Sequence, residues 1–389
     1  MKKSLHLFFA VMAIMVLLVS ACAPAATPAA TEPPATAAPT EVPATEAPTE
    51  APATEAPMPS VEPSTEIGSP EHPIKVLFVP SVDANVITTG GEMMAKALNE
   101  ATGLNFEVVV PTSYAATIEE MCASPSDTMA FIPGLGYAIA NQLCGVDVAF
   151  KAVRFGYPVY WSMFIVPRDS DIQTLEDLNG KKWGYGDVGS TSGYMVPLVM
   201  MQSMGIQPGE EVQTGGHPQT VTAVYNGEVD FGTVFYSVPL NPDGEPAFTY
   251  QDFLDGKVTD DMYEVPADVI DTCAPDAEGS KLLCDGWRIL DARANVRTEL
   301  PDVIQKVRIL AVSPSIPNDT LSFGPEFPAE VRSQIEQALV DFSKTEAWAN
   351  SIGSSDFYGW SGIDPATDDE YDIIRKMVEA TGATLEGLR

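Results

Sequence analysis

The chain has 389 residues, carries 21 basic against 54 acidic residues for a formal charge of −33, and is 45% hydrophobic. That acid excess argues against a nucleic-acid partner, because such binding rests on neutralising phosphates with Lys and Arg. Five cysteines without a C-x-x-C pair, and a single histidine, His217, beyond His6 and His72, argue against a zinc site built from Cys and His.

Residues 1–21 read as an address. Lys2 and Lys3 precede the apolar run 5–19, and "VSAC" supplies small residues before Cys22. The run is shorter than the ~20 residues a transmembrane span needs. "VSAC" also resembles a bacterial lipobox, which makes Cys22 the expected lipidated N-terminus and a membrane the expected anchor. Residues 22–73, rich in Pro, Thr, Glu and Ala, cannot bury enough apolar surface to offset their ordering entropy, so an extended tether is expected.

From Ile74 onward there are 19 basic and 46 acidic residues in 316, a formal charge of −27. That length exceeds what one hydrophobic core usually supports, so two lobes are expected. "IKVLFVP" reads as a strand, "GGEMMAKALNEATG" as part of a helix closed by Gly103, and "LNFEVVVP" as a second strand. The alternation continues through "YAATIEEMCAS", "TMAFIP", "GLGYAIANQLCG" and "VDVAFKAVRF", the pattern of a doubly wound α/β layer. "VYWSMFIVPRDS", "KKWGYG", the helix "GYMVPLVMMQSMG", "EEVQTGG", the helix "PQTVTAVYNG" and "EVDFGTVF" build a second α/β lobe. Residues 239–303, acidic and turn-rich with little period, read as a surface insertion in that lobe. "VRILAVSPSIPNDT" returns as strand and turn, and helices follow near "PAEVRSQIEQALVDFSK" and "DDEYDIIRKMVEA". Outside the cytosol Cys122, Cys144, Cys273 and Cys284 can form two bridges; local pairing, Cys122 with Cys144 and Cys273 with Cys284, is the simplest of three connectivities.

"GDVGSTSGYMVP", residues 186–197, is the stretch that carries chemistry. Gly184, Gly186 and Gly189 match G-x-G-x-x-G, but no acidic residue closes the following strand as a dinucleotide site requires. Ser190 stands where a phosphate-binding P-loop needs Lys, and Thr191 stands where a nucleophile elbow needs Ser. The residues instead suit a helix start. Ser190, Thr191 and Ser192 offer hydroxyls and unpaired N–H groups at its positive end, which can hold an oxyanion or merely cap the helix. His217, just before a second helix with Pro218 in its first turn, can donate to the same anion.

Together with "PTSYAATI", "VYWSMFIVPRDS", "GGHPQTVTAVYNGEVD" and "SPSIPND", this loop makes the sequence resemble the phosphonate-binding type of periplasmic binding protein, which serves ABC transporters of phosphate, phosphite and phosphonates. The similarity runs from about residue 74 to 344, the insertion excepted. It implies a two-lobed type II periplasmic-binding-protein fold with a ligand cleft between lobes, lobe 1 from 74–160 and 312–389 and lobe 2 from 161–311. It implies as ligand-binding residues Ser190, Thr191, Ser192, His217, Tyr114, Tyr160 and Asp319, all neutral donors except Asp319, which suits a ligand that keeps a proton. "FIPGLGY" differs from the corresponding loop of the family, which leaves open whether Tyr137 reaches the cleft.

The expected function is that of a non-enzymatic, monomeric, extracytoplasmic lipoprotein that binds phosphite, phosphate or an alkylphosphonate and hands it to a permease. A sensor using the same cleft, or a binder of another small oxyanion, is the alternative. No cofactor or metal is implied. The family's aminoalkylphosphonate binders carry a glutamate a few residues past "VD", whereas Tyr236, Ser237 and Val238 stand here, which disfavours 2-aminoethylphosphonate. Trp161 and Trp183 flank the proposed site in sequence and could report ligand by fluorescence.

Overall fold

The computed structural model describes residues 66–389. The signal segment 1–21, the proposed lipidation site Cys22 and the tether up to residue 65 lie outside the described residues. Among the described residues no helix is long and apolar enough to cross a membrane.

The first strands are β1 (Ile74–Phe78), β2 (Phe106–Val109), β3 (Thr128–Ile132) and β4 (Asp147–Val153). The helices between them begin and end where the side chains dictate. Asp83 caps helix Ala84–Thr102 by accepting from the N–H groups of Asn85 and Val86, and Gly103 ends it in the left-handed conformation. Ser113 caps helix Tyr114–Ala123, and Gly145 ends helix Gly134–Cys144. Cys122 and Cys144 are bridged, so the last two helices are tied at their ends.

The chain then crosses into β5 (Val159–Pro167), followed by β6 (Trp183–Tyr185), β7 (Glu211–Gln213) and β8 (Phe231–Tyr236). An insertion holds β9 (Ala274–Pro275), β10 (Leu282–Cys284) and β11 (Trp287–Ile289). After it come β12 (Val307–Val312), β13 (Ile316–Pro317), β14 (Thr320–Phe323) and β15 (Gly362–Pro365).

These strands form two large sheets. One has the order β15-β4-β14-β3-β1-β2, parallel among β1, β2 and β3 and antiparallel beyond. The other runs β12-β5-β8-β6-β7, with β13 also on β5. Both are therefore mixed, not purely parallel, because β14 and β5 enter from the crossovers. Strands β1 and β3 are buried nearly throughout, as parallel strands covered on both faces must be. Ser162 and Ser313 clasp β5 to the end of β12, exchanging two 2.9 Å bonds where the chain passes between lobes.

The insertion is exposed over much of its length, but its apolar side chains join the main hydrophobic core. Phe248, Val265, Leu282, Ile289 and Ala292 are buried. Arg293, fully buried, donates to Asp291 (2.9 and 3.0 Å), to Glu264 (2.5 Å) and to the Val307 carbonyl of β12 (3.1 Å). Cys273 and Cys284 are bridged. Asp291, the acid of this segment that is buried, is there because it meets that arginine, while most of the segment's other acids are exposed.

Candidate functional site

Three glycines let the chain fold tightly around a cleft between the two large sheets. A Cβ on Gly193 would lie 2.9 Å from Ser190 Oγ and 3.3 Å from His217 Cε1. One on Gly186 would meet the Gly216 backbone at 2.9 Å, and one on Gly189 would stand 2.5 Å from Tyr114 Cβ, across the lobe boundary.

The quoted loop does enter a helix, through a wide turn at Thr191–Met195 that continues as Val196–Ser203. Ser190 Oγ accepts from the Gly193 N–H at 3.0 Å, which fixes its own proton to point elsewhere. The N–H groups of Thr191 and Ser192 are the ones such a start leaves without intrahelical acceptors. Ser162 Oγ donates to the Ser192 carbonyl at 2.6 Å, anchoring the turn to β5.

One cleft, with a cavity of about 60 Å³, is lined by Ser190, Ser192 and His217 from the side of the second sheet, by Tyr114 and Asp319 from the other side, and by Tyr160 at the start of β5 where the chain crosses over. At 10–15 Å³ per water on this measure, the space suits roughly five heavy atoms. His217 is 6% exposed, and its Nδ1 is buried without a hydrogen-bond partner. Burial, and secondly the charge of Arg154, lower its pKa to about 4, so the imidazole is neutral at pH 7. Burial likewise raises the phenols of Tyr114 and Tyr160, with Tyr358 the next cause for the first and Asp319 for the second. Both are O–H donors at any physiological pH.

Thr191 has a second duty besides the one implied for it. Its Oγ1 accepts from the N–H of Leu135 at 2.9 Å, bracing the loop against the opposite lobe, while its side chain also hydrogen-bonds the cleft residue Tyr160. The buried Asp187 adds a second tie, accepting from the N–H groups of Gly189 (2.7 Å) and Tyr114. Tyr137 is directed elsewhere, donating to Asp368 at 2.5 Å. Trp161 and Trp183 are both core residues: the first packs against Phe248 and Phe253, the second donates to Thr233 Oγ1 at 2.8 Å.

The sequence reading missed a cation. Arg154 lines the cleft, its guanidinium 5.3 Å from the Tyr160 ring centre, and donates to Asp319 Oδ2 (2.6 Å), Asn318 Oδ1 (2.8 Å) and the Tyr358 carbonyl (2.9 Å). The expected set of neutral donors around a lone carboxylate is thus corrected to one containing an ion pair. Its local signal was the turn "RFGY": Phe155 and Gly156 take φ of 50° and 87°, the two-residue hairpin geometry that presents Arg154 and Phe155 at the strand end. Tyr358, Ser81 and Ser237 also line the cleft.

The chain matches, over residues 76–371, the sequence profile of the periplasmic substrate-binding proteins of phosphonate ABC transporters. It belongs to that family. The phosphate-import protein PhnD of Mycolicibacterium smegmatis is 24% identical over 337 residues, 82% of this chain and 89% of that protein. The phosphonates-binding periplasmic protein of Escherichia coli is 36% identical over 143 residues, 35% of this chain and 42% of that one. Two solved structures share the fold: a binding-protein component of a Pseudomonas aeruginosa ABC phosphonate transporter and PhnD1 of Prochlorococcus marinus in complex with methylphosphonate. Their TM-scores are 0.57 and 0.56, at 18% and 12% identity; the matches cover 78% and 79% of this chain, and 85% and 98% of theirs. The architecture of this phosphonate-type binding protein is accordingly the two-lobed type II periplasmic-binding-protein fold.

Proposed function

We propose that the protein is a non-enzymatic, lipid-anchored receptor that closes its lobes on a small phosphorus oxyanion, phosphite, phosphate or an alkylphosphonate, and delivers it to an ABC permease. The observation that carries this reading is the meeting of Ser190, Ser192 and His217 with Tyr114, Tyr160 and Arg154 in one small cleft. Hydroxyls, a neutral imidazole and a helix start supply donors to three oxygens of a tetrahedral anion. Arg154 takes Oδ2 of Asp319, leaving the other carboxylate oxygen to accept from a ligand that keeps one proton.

The unfavourable overall charge does not prevent this. Surface acids are screened within about 10 Å at ordinary salt, whereas the cleft donors act at contact. The lobes would close about the β4–β5 and β12–β13 crossovers, near residues 160 and 311–313, and ligand contacts from both lobes favour the closed form. Cys22 would tether the receptor to the membrane through the Pro-rich segment.

Cellular uptake of labelled ligand tests the assignment. Deleting the gene abolishes uptake, and restoring it as Ser192→Ala returns the protein to the membrane without restoring transport. Uptake that survives deletion would overturn the transport role. Replacing Cys22 with Ser releases the protein from the membrane fraction; a variant that stays bound would contradict the anchor.

A further inference from the structure

The cleft has an apolar part that the oxyanion donors do not account for. Phe155, Phe235, Phe357, Val79 and Val82 line it, and so does Leu290, which comes from the insertion. Phe235 stands edge-on to His217 at 5.1 Å, so apolar surface begins directly beside a donor.

Leu290 is held from both sides. Before it, Arg288 and Leu240 exchange backbone bonds of 2.8 and 3.0 Å, and Ile289 pairs with Leu282 of β10. After it, Asp291 grips the buried Arg293 with both carboxylate oxygens. Further on, Arg297 pairs bidentately with Asp356 at 2.7 and 2.8 Å, and the neighbours of Asp356, Ser355 and Phe357, line the cleft from the other lobe. The insertion therefore reaches across to the opposite wall and presents one apolar side chain to the ligand space. Among the described residues Asp319 is the one carboxylate in that lining, and Arg154 already neutralises it. A ligand ammonium would find no counter-charge there.

We propose that the insertion sets ligand choice: Leu290 packs against the fourth substituent of the bound oxyanion, so the cleft takes hydrogen or methyl at that position in preference to hydroxyl or an aminoalkyl tail. This rests on the oxyanion reading of the cleft. The Leu290 side chain itself offers a ligand hydroxyl no partner, so a hydroxyl turned towards it is desolvated without a hydrogen bond from that side of the cleft.

Calorimetric titration of the full chain with methylphosphonate, inorganic phosphate and 2-aminoethylphosphonate tests it. The wild type is expected to bind methylphosphonate about tenfold or more tighter than phosphate, and 2-aminoethylphosphonate weakest. Leu290→Asn is expected to narrow or reverse the methylphosphonate-to-phosphate ratio by about tenfold, and Leu290→Ala to weaken methylphosphonate severalfold with phosphate unchanged. Phosphate bound as tightly as methylphosphonate by the wild type would overturn the proposal even without variants. So would Leu290 variants that shift all three ligands equally. Should the wild type bind none of the three, the oxyanion reading itself fails, and the role of Leu290 with it.

Discussion

Ser190 and Ser192 lie two residues apart in one turn, yet the structure gives them different duties, and a pair of alanine substitutions separates these. Ser190 Oγ caps the helix through the Gly193 N–H at 3.0 Å, so Ser190→Ala loses a cap worth about 1 kcal/mol of folding stability as well as a ligand contact. Ser192 contributes its carbonyl to Ser162, a bond that Ser192→Ala keeps, and its hydroxyl lines the cleft beside Tyr160. A hydrogen bond to a charged ligand contributes about 1.5–3 kcal/mol, and 1.4 kcal/mol is a factor of ten in Kd. Ser192→Ala should therefore weaken oxyanion binding by roughly 10- to 150-fold with urea stability within about 0.5 kcal/mol of wild type. Ser190→Ala should lose both affinity and stability. Calorimetric titration paired with urea denaturation reads the two quantities separately. Identical behaviour of the two variants, or Ser192→Ala binding within twofold of wild type, would refute the division of labour.

Three further outcomes follow from the same geometry. Gly189 does not have a left-handed φ, so Gly189→Ala should fold normally; its Cβ would stand 2.5 Å from Tyr114, so closure and affinity should suffer by about tenfold or more, visible as loss of ligand-induced compaction in X-ray scattering. His217 titrates near 6.5 when unfolded and about 4 when folded, so the unfolded chain binds the extra proton between those values. Stability from this residue is complete above pH 6.5 and falls as pH drops towards 4, by up to about 1.4 kcal/mol per unit, and His217→Gln should lack that component in urea titrations at pH 7 and 5. Arg293→Met leaves the buried Asp291 without its cation, while Glu264 keeps Arg168, and should cost about 3–5 kcal/mol, with Asp291→Asn in the same chain recovering part of it; a midpoint of denaturation equal to wild type would contradict this.

The alternation of strands and helices was readable because their signals are local: Asp83, Ser113, Gly103 and Gly145 cap and stop helices by their own chemistry. The oxyanion loop was readable for the same reason. Arg154 was not, because a lone arginine at a strand end acquires meaning only when β14 pairs with β4 and brings Asp319, 165 residues away, to its guanidinium. The insertion hid its order for a different reason. Its strands are two or three residues long, too short for a period, and the Arg293 cluster, a disulfide and burial of its apolar side chains in the main core tie together residues that lie apart in sequence. One local clue was present in "CDGW", where Asp285 and Gly286 take φ of 45° and 88° to turn β10 into β11. The bracing role of Thr191 could not be told from its type; the direction its side chain takes around the turn lets it accept from Leu135 while also meeting Tyr160.

The receptor account stands or falls on whether the cleft of Ser192, His217, Tyr160 and Arg154 holds a tetrahedral phosphorus oxyanion. Calorimetric titration of the protein with phosphite, methylphosphonate and phosphate measures this directly. The account predicts one site per chain for at least one of the three, lost or weakened at least tenfold in a Ser192→Ala, His217→Ala double variant that remains folded. Absence of heat with all three in the folded wild type, or binding indifferent to both substitutions, would contradict it.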